Sequence, residues 1–289
     1  MIYRFMEDQS RFHSVEMMAE VLEVSRSGYY SWRRRIASRR QKKNVEVAAR
    51  IRTIQKNARW SYGSRRVTEE LNKQGIRIGK NRIAHIMRAQ GLNRRPPKKY
   101  RVTTDSSHRH APAPNLLNRN FTVQQPNRVW VSDITYCATA EGWMYLCVIL
   151  DLYSRRVVGW SMSESLATDV VLQALWMALM RRGRTAGLIF HSDRGVQYAS
   201  DRFRRELRDA AMRQSMSRKG NCWDNACAES FFGSLKTELI ADSIYPTRRE
   251  AKNAIFEYIE VFYNRQRLHS TIGYATPVEY EEQQRQKTA

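Results

Sequence analysis

Three carboxylates stand in unusual settings: Asp133 in VWVSDITYC, Asp193 in FHSDRGVQY and Glu229 in WDNACAESFFGSLKTEL. The first two lie in or just beyond stretches that read as buried strands, and the third lies on a helix. A lone carboxylate in an apolar strand is costly to bury unless it is paired, hydrogen-bonded or metal-bound. Three that converge would supply the hard oxygen ligands that Mg²⁺ or Mn²⁺ prefers. In a chain of 289 residues with formal net charge +22, this points to metal-dependent chemistry on phosphodiesters.

The elements that must position these groups can be read from patterning. Strands are expected at residues 128–137, 143–150 and 156–162, with turns at 141–142 and 151–154. A helix follows over 168–181, with Val171, Leu175, Ala178 and Leu179 on one face. A short strand at 187–190 runs into His191, Ser192 and Asp193, and further helices cover about 200–211 and 224–239. Three antiparallel strands followed by alternating helix and strand is an α/β order of the ribonuclease-H-like type. It sets Asp133 on the central first strand, Asp193 at the end of the fourth, and the Glu229 helix across the sheet. On that helix Ala228, Phe232, Leu235 and Leu239 form a packing stripe. Lys236 lies two turns beyond Glu229 and on its side. It is either a cation beside a phosphate backbone or an ordinary solvated lysine, and the spacing leaves both open. For His191, a hydrogen-bonding role that positions the loop is favoured over that of a general base.

Charge is uneven along the chain. Residues 1–110 hold 27 Lys and Arg against 9 Asp and Glu, whereas residues 111–289 hold 23 against 19. So basic a segment attracts polyanions, and nucleic acid is the abundant one, with affinity falling steeply in salt. The segment reads as two helix-turn-helix units. In the first, Met17, Met18, Val21 and Leu22 recur at helical spacing, the chain breaks at residues 25–28, and a second helix begins near Tyr29. Tyr29 and Trp32 pack inward while Arg33, Arg34 and Arg35 meet phosphate. In the second, Val67, Glu70 and Leu71 sketch a helix that Gly75 stops. Ile83, Ile86 and Met87 form the stripe of the next, leaving Lys80, Arg82, His85 and Arg88 on other faces until Gly91 ends it.

Composition sets the organisation: helical units at 1–45 and 46–94, a basic Pro-rich linker at 95–120, a catalytic core at 121–240, and a C-terminal helix and tail at 241–289. Residues 1–91 should be separable from a core that still folds. His108 and His110 read as linker histidines, and the tail EEQQRQKTA as frayed. Arg265, Arg267 and His269 combine possible DNA contact with a docking turn. No apolar run exceeds residues 143–150, too short for a bilayer, and no signal peptide is visible. Four cysteines without a CxxC pair read as reduced and structural. The expectation is a cytoplasmic, nucleoid-associated protein.

WVSDITY, HSDRGVQY, SRKGNCWDNACAESFFGSLKTEL and YNRQRLHSTIGYATPVEY, in that order, resemble the transposases of the insertion-sequence-3 family of bacterial mobile elements. Asp193 and Glu229 enclose 35 residues, the spacing that this family shares with retroviral integrases. The resemblance spans essentially the whole chain. It implies that Asp133, Asp193 and Glu229 bind two Mg²⁺ (or Mn²⁺) ions as the catalytic triad, and that Lys236 contacts DNA beside them. It implies that Arg218, Lys219, Asn221, Trp223 and Asn225 form a loop shaping substrate access. Its implied partners are terminal-repeat and target duplexes, a second copy in the synaptic complex, and the upstream reading-frame protein or its frameshift fusion. The chain itself reads as the downstream, catalytic product. Two other classes are a DNA-binding regulator with an inactive core and a nuclease of ribonuclease H type. The intact carboxylate trio argues against the first. The basic units and the spacing argue against the second.

Overall fold

The computed structural model describes residues 1–34, 38–94, 111–219, 221–240 and 244–288. The chain divides into two compact units, Met1–Ile51 and Arg52–Ala289. The first holds α1 (Ile2–Gln9), α2 (Val15–Val21), α3 (Arg26–Arg33) and the start of α4 (Arg39–Asn57). Ser14 and Ser25 cap α2 and α3 by accepting from the amides of Met17 and Gly28. The SRSG stretch, expected as a break before Tyr29, is therefore the cap and first turn of α3. Met6, Met18, Ala19 and Tyr29 form the core, with Trp32 partly covered against it. Arg33 and Arg34 are exposed, and Arg35 lies outside the described residues.

The second unit continues with the rest of α4, then α5 (Ser64–Lys73) and α6 (Lys80–Ala89). There follow β1 (Val129–Thr139), β2 (Gly142–Asp151), β3 (Val157–Ser163), α7 (Thr168–Arg182), β4 (Ile189–Ser192), α8 (Val196–Ala199), α9 (Asp201–Asp209) and β5 (Arg213–Met216). Then come α10 (Ala226–Leu235), α11 (Arg248–Glu257) and α12 (Pro277–Thr288). Wider π-type turns, Lys236–Ile240 and Tyr258–Tyr263, prolong α10 and α11. The sheet runs β3-β2-β1-β4-β5, with β1 to β3 antiparallel and β4 and β5 parallel to β1. This is the ribonuclease-H-like arrangement expected from the strand order.

Both faces of the sheet are buried, which explains why its strands are apolar nearly throughout. Val129 and Val131 pack towards α10 and α11, while Trp130 packs towards α7 and α9. At Gly159 a Cβ would stand 2.2 Å from the Ala174 carbonyl oxygen and 2.8 Å from the Ala178 Cβ. Only glycine lets α7 approach β3 so closely.

Three expectations are corrected. Residues 111–120 are not free linker. Leu117 is buried, and the Leu116 amide donates to Ser215 Oγ at 2.9 Å, so the segment docks over β5. The remainder, 95–110, including His108 and His110, lies outside the described residues. The tail is not frayed but forms α12, because Glu281 is buried among Ser154, Arg156 and Arg182. Finally, residues 52–94 group with the catalytic part and do not stand apart from it. Tyr62 carries much of this: its hydroxyl accepts from the Leu268 amide at 2.8 Å and donates to the Gln266 carbonyl at 3.3 Å. Arg59 pairs with Glu257 and lies over the rings of Tyr258 and Phe262. Lys73 meets Glu279 at 3.2 Å. Removing residues 1–91 would uncover this surface. Among the described residues no helix is long and apolar enough to cross a membrane.

Candidate active site

Register brings the first two carboxylates together. In the parallel β1–β4 pair Val131 lies opposite His191, so the same offset carried two residues further sets Asp133 abreast of Asp193. Neighbouring strands lie about 4.8 Å apart, which is the scale of that separation. The Asp133 Oδ1 accepts from the Ile134 amide at 2.8 Å, and the Asp193 Oδ1 from the Gly195 amide at 2.9 Å. Glu229 approaches from the first turn of α10, where the positive end of the helix favours a carboxylate. All three keep partial exposure to solvent.

Asp193 and Glu229 both act on Asp133. Burial, then the charge of Asp193, holds the Asp133 carboxyl well above the ordinary range; the Ile134 amide opposes this and Glu229 adds to it. Burial also raises Glu229. Lys236 lies with its Nζ 5.6 Å from the Tyr136 ring centroid. Burial lowers its proton affinity, while Tyr136 and Asp133 draw it back up. The lysine expected two turns beyond Glu229 thus stands within the field of Asp133. Among the described residues no three His, Cys, Asp or Glu side chains are gathered as a ready metal-ligand set. The donor chemistry nonetheless fits a hard divalent cation, which would relieve the repulsion that raises Asp133.

A second layer holds the carboxylate-bearing elements. Asp224 is fully buried and accepts at five points. These are the Arg218 amide, Nε and Nη2, Arg119 Nε and Asn115 Nδ2, all at 2.8–3.0 Å. These cations hold it well below the usual carboxylate range. The neighbouring Asn225 donates from Nδ2 to the Ser132 carbonyl at 3.2 Å, tying the start of α10 to β1 beside Asp133. Ser132 Oγ in turn meets the buried Tyr198 hydroxyl at 2.8 Å. His191 is enclosed, with Nδ1 2.8 Å from Ser215 Oγ and Nε2 3.2 Å from Ser217 Oγ. Burial pushes it down to about 4, so it is neutral near pH 7 and positions β4 against β5.

Of the loop residues, Arg218 is bound to Asp224, and Asn221 Oδ1 accepts from Arg119 at 2.9 Å. Lys219 and Trp223 are exposed. On α6, Lys80, His85 and Arg88 are exposed and Arg82 half-buried, on faces away from the buried Ile83, Ile86 and Met87. Arg267 and His269 are buried, Arg267 against Glu238 at 2.7 Å, whereas Arg265 is exposed. Sequence reading passed over Asp224, Arg119, Ser132 and Tyr198. The signal for two of them was present, in an acidic residue inside a loop of cations and in an apolar Leu116–Leu117 pair within a polar segment.

Residues 123–222 match the integrase core domain family, residues 229–284 a second integrase core domain family, and residues 42–100 an HTH-like domain family. The chain is 43% identical over 272 residues to the insertion element IS600 uncharacterized 31 kDa protein of Shigella sonnei, covering 94% of this chain and 100% of that one. It is 41% identical over 288 residues to transposase InsF for insertion sequence IS3A of Escherichia coli (strain K12), covering 97% and 98%. The chain belongs to the IS3 family of insertion-sequence transposases. It is therefore a transposase with an integrase core, an enzyme that transfers polynucleotide strands. Among solved structures it overlaps a chain of the simian T-cell lymphotropic virus intasome in complex with PP2A regulatory subunit B56 gamma. That overlap has 18% identity, a TM-score of 0.47, and coverage of 74% of this chain and 69% of the other.

Proposed function

We propose that Asp133, Asp193 and Glu229 are the catalytic carboxylates of this transposase and that they hold two Mg²⁺ or Mn²⁺ ions. The observation that carries the reading is the β1–β4 register that sets Asp133 abreast of Asp193, together with the charges of Asp193 and Glu229, which come from two other parts of the fold and both raise Asp133. Bound divalent ions would supply charge to favour the attacking oxygen and the leaving oxygen of an in-line displacement. The chain supplies the rest. The Ile134 and Gly195 amides fix the two aspartates. Lys236 offers positive charge to a phosphate beside Asp133, and neutral His191 steadies the strand that carries Asp193. In the first step water bonds to a phosphorus at the element's end and the 3′ oxygen leaves. In the second, that 3′-OH bonds to another phosphorus and displaces its 3′ oxygen, joining strands. No side chain serves as nucleophile.

Duplex DNA is held, in this reading, by cations of the helical units: Arg33, Arg34 and Arg35, and Lys80, Arg82 and Arg88. Arg218, Lys219 and Asn221, in the segment before α10, are further contacts in this reading. Joining two ends requires at least two copies, and the upstream reading-frame protein or its fusion is the expected partner in a bacterial cytoplasm. The test is strand transfer on a labelled duplex bearing the element's terminal repeat, with Mg²⁺ or EDTA. Asp133→Asn, Asp193→Asn and Glu229→Gln should each abolish cleavage and joining while duplex binding persists. Robust cleavage by any of them would overturn the assignment.

A further inference from the structure

At the β3 edge of the sheet lies a cavity of about 600 Å³ whose lining includes Arg156, Arg181, Arg182, Arg265, Arg285 and Glu260. The arginines come from four separate places: the entry to β3, the end of α7, the segment after the π-type turn of α11, and α12. Arg181 meets Glu260 at 2.8 Å, while Arg156 and Arg182 share Glu281 at 2.8 and 2.5 Å. Five guanidinium groups thus converge on one cavity. Arg181, Arg265 and Arg285 are exposed, and the last two come from different segments.

We propose that this cavity is a second binding site for the phosphate backbone of duplex DNA, distinct from the catalytic carboxylates. The inference rests on the transposase reading, in which one protein handles two DNA segments. β3 is one of the two edge strands and is separated from β1 by β2. Two strand spacings, about 10 Å, thus lie between this edge and the strand of Asp133, and Asp193 is on the far side again. A phosphate at the carboxylates is not the one that reaches these arginines. Guanidinium forks suit phosphate oxygens, and a duplex presents one charge per about 1.7 Å of axis, so several arginines from different segments can be met at once. Charges at a sheet edge also deter strand addition, but a row of side chains along β3 itself would serve that end. Here four of the five arginines come from outside β3 and its entry.

The test is binding of a non-specific duplex to the full chain by fluorescence anisotropy across a salt series. The wild type would be compared with Arg265→Gln/Arg285→Gln and with Arg205→Gln/Arg208→Gln, which removes two exposed arginines of α9. The first variant should reduce the slope of log affinity against log salt by about 2, at roughly 0.9 per lost phosphate contact. The α9 variant should leave the slope unchanged. An unaltered slope in the first, or an equal fall in both, would overturn the proposal. The measurement needs no catalysis, so a wild type that binds DNA without strand transfer would count against the transposase reading and not against this site.

Discussion

Replacing Asp224 by Asn tests whether the loop before α10 is held by charge. The side chain keeps its size but loses its charge, and one oxygen becomes an NH₂ group facing donors. If Oδ2 is the atom replaced, the Arg218 amide, Arg218 Nε and Asn115 Nδ2 lose their acceptor. Hydrogen bonds to a buried carboxylate contribute about 1.5–3 kcal/mol each. The two guanidinium groups, however, have side chains 49% and 44% exposed and can turn to water, so little of their share is lost. What remains is mainly one orphaned backbone amide and the weakened bonds to Asn115, together about 2 kcal/mol. For a unit of this size that lowers Tm by roughly 4–8 °C, at about 2–4 °C per kcal/mol. Because Asn225 and Glu229 follow directly, strand transfer should fall further than stability does, while duplex binding by the helical units persists. Differential scanning calorimetry and the strand-transfer assay read the two effects. A variant with unchanged Tm and full activity would refute the clamp.

Three further outcomes follow from packing and burial. Gly159→Ala drives a methyl to within 2.2 Å of the Ala174 carbonyl oxygen, so α7 must shift; a loss of about 1–3 kcal/mol in denaturant titration is expected, and none would mean that the helix yields freely. Tyr62→Phe removes the acceptor of the Leu268 amide and should cost about 1–3 kcal/mol, seen as a lower Tm; an unchanged Tm would show that this anchor is dispensable. His191 sits at about 4 in the fold against about 6.5 unfolded. Its contribution is therefore complete above pH 6.5 and is lost as pH falls towards 4, to a total of about 3 kcal/mol. His191→Gln should flatten that limb of the stability curve, and an identical acid limb would exclude His191 as its source.

Much of the catalytic half was legible because its physics is local. The apolar runs of β1 and β2 and the turn at Glu141–Gly142 declare themselves, and a carboxylate inside such a run calls for explanation. β5 was not legible: Arg213–Met216 is short, with three of its four residues polar, and it becomes a strand only because β4 offers a parallel edge. α4 was overlooked although Val47, Ile51, Ile54 and Ala58 recur at helical spacing, since abundant Arg and Lys mask them. The Arg119–Asp224–Arg218 cluster could not be read, because its members are up to 105 residues apart and meet only in the folded chain. Similarly, the polar tail looked unstructured until Arg156 and Arg182 supplied the partners that bury Glu281.

The same long-range contacts explain why residues 52–94 cannot be treated as a detachable reader of DNA. The Tyr62 hydroxyl binds the Leu268 amide, and the adjoining Arg267 is buried against Glu238 and donates to Ser234 Oγ at 2.9 Å. Ser234 lies on α10, the helix of Glu229, and Glu238 lies in the turn that begins at Lys236. A buried ion pair does not earn its place through net stability alone, since apolar residues could fill the same space. What it contributes here is direction: Arg267 satisfies the two oxygens of Glu238 and the Ser234 hydroxyl from one fork, which fixes the end of α10 in one orientation. Tyr258 completes the set by donating to Glu238 Oε2 at 2.8 Å. The helix bearing the third carboxylate is thus fastened at its start by Asn225 and Asp224 and at its end by Arg267. The second fastening adjoins the chain that anchors α5 and α6, so the spacing from those helices to the carboxylates is set by packed side chains.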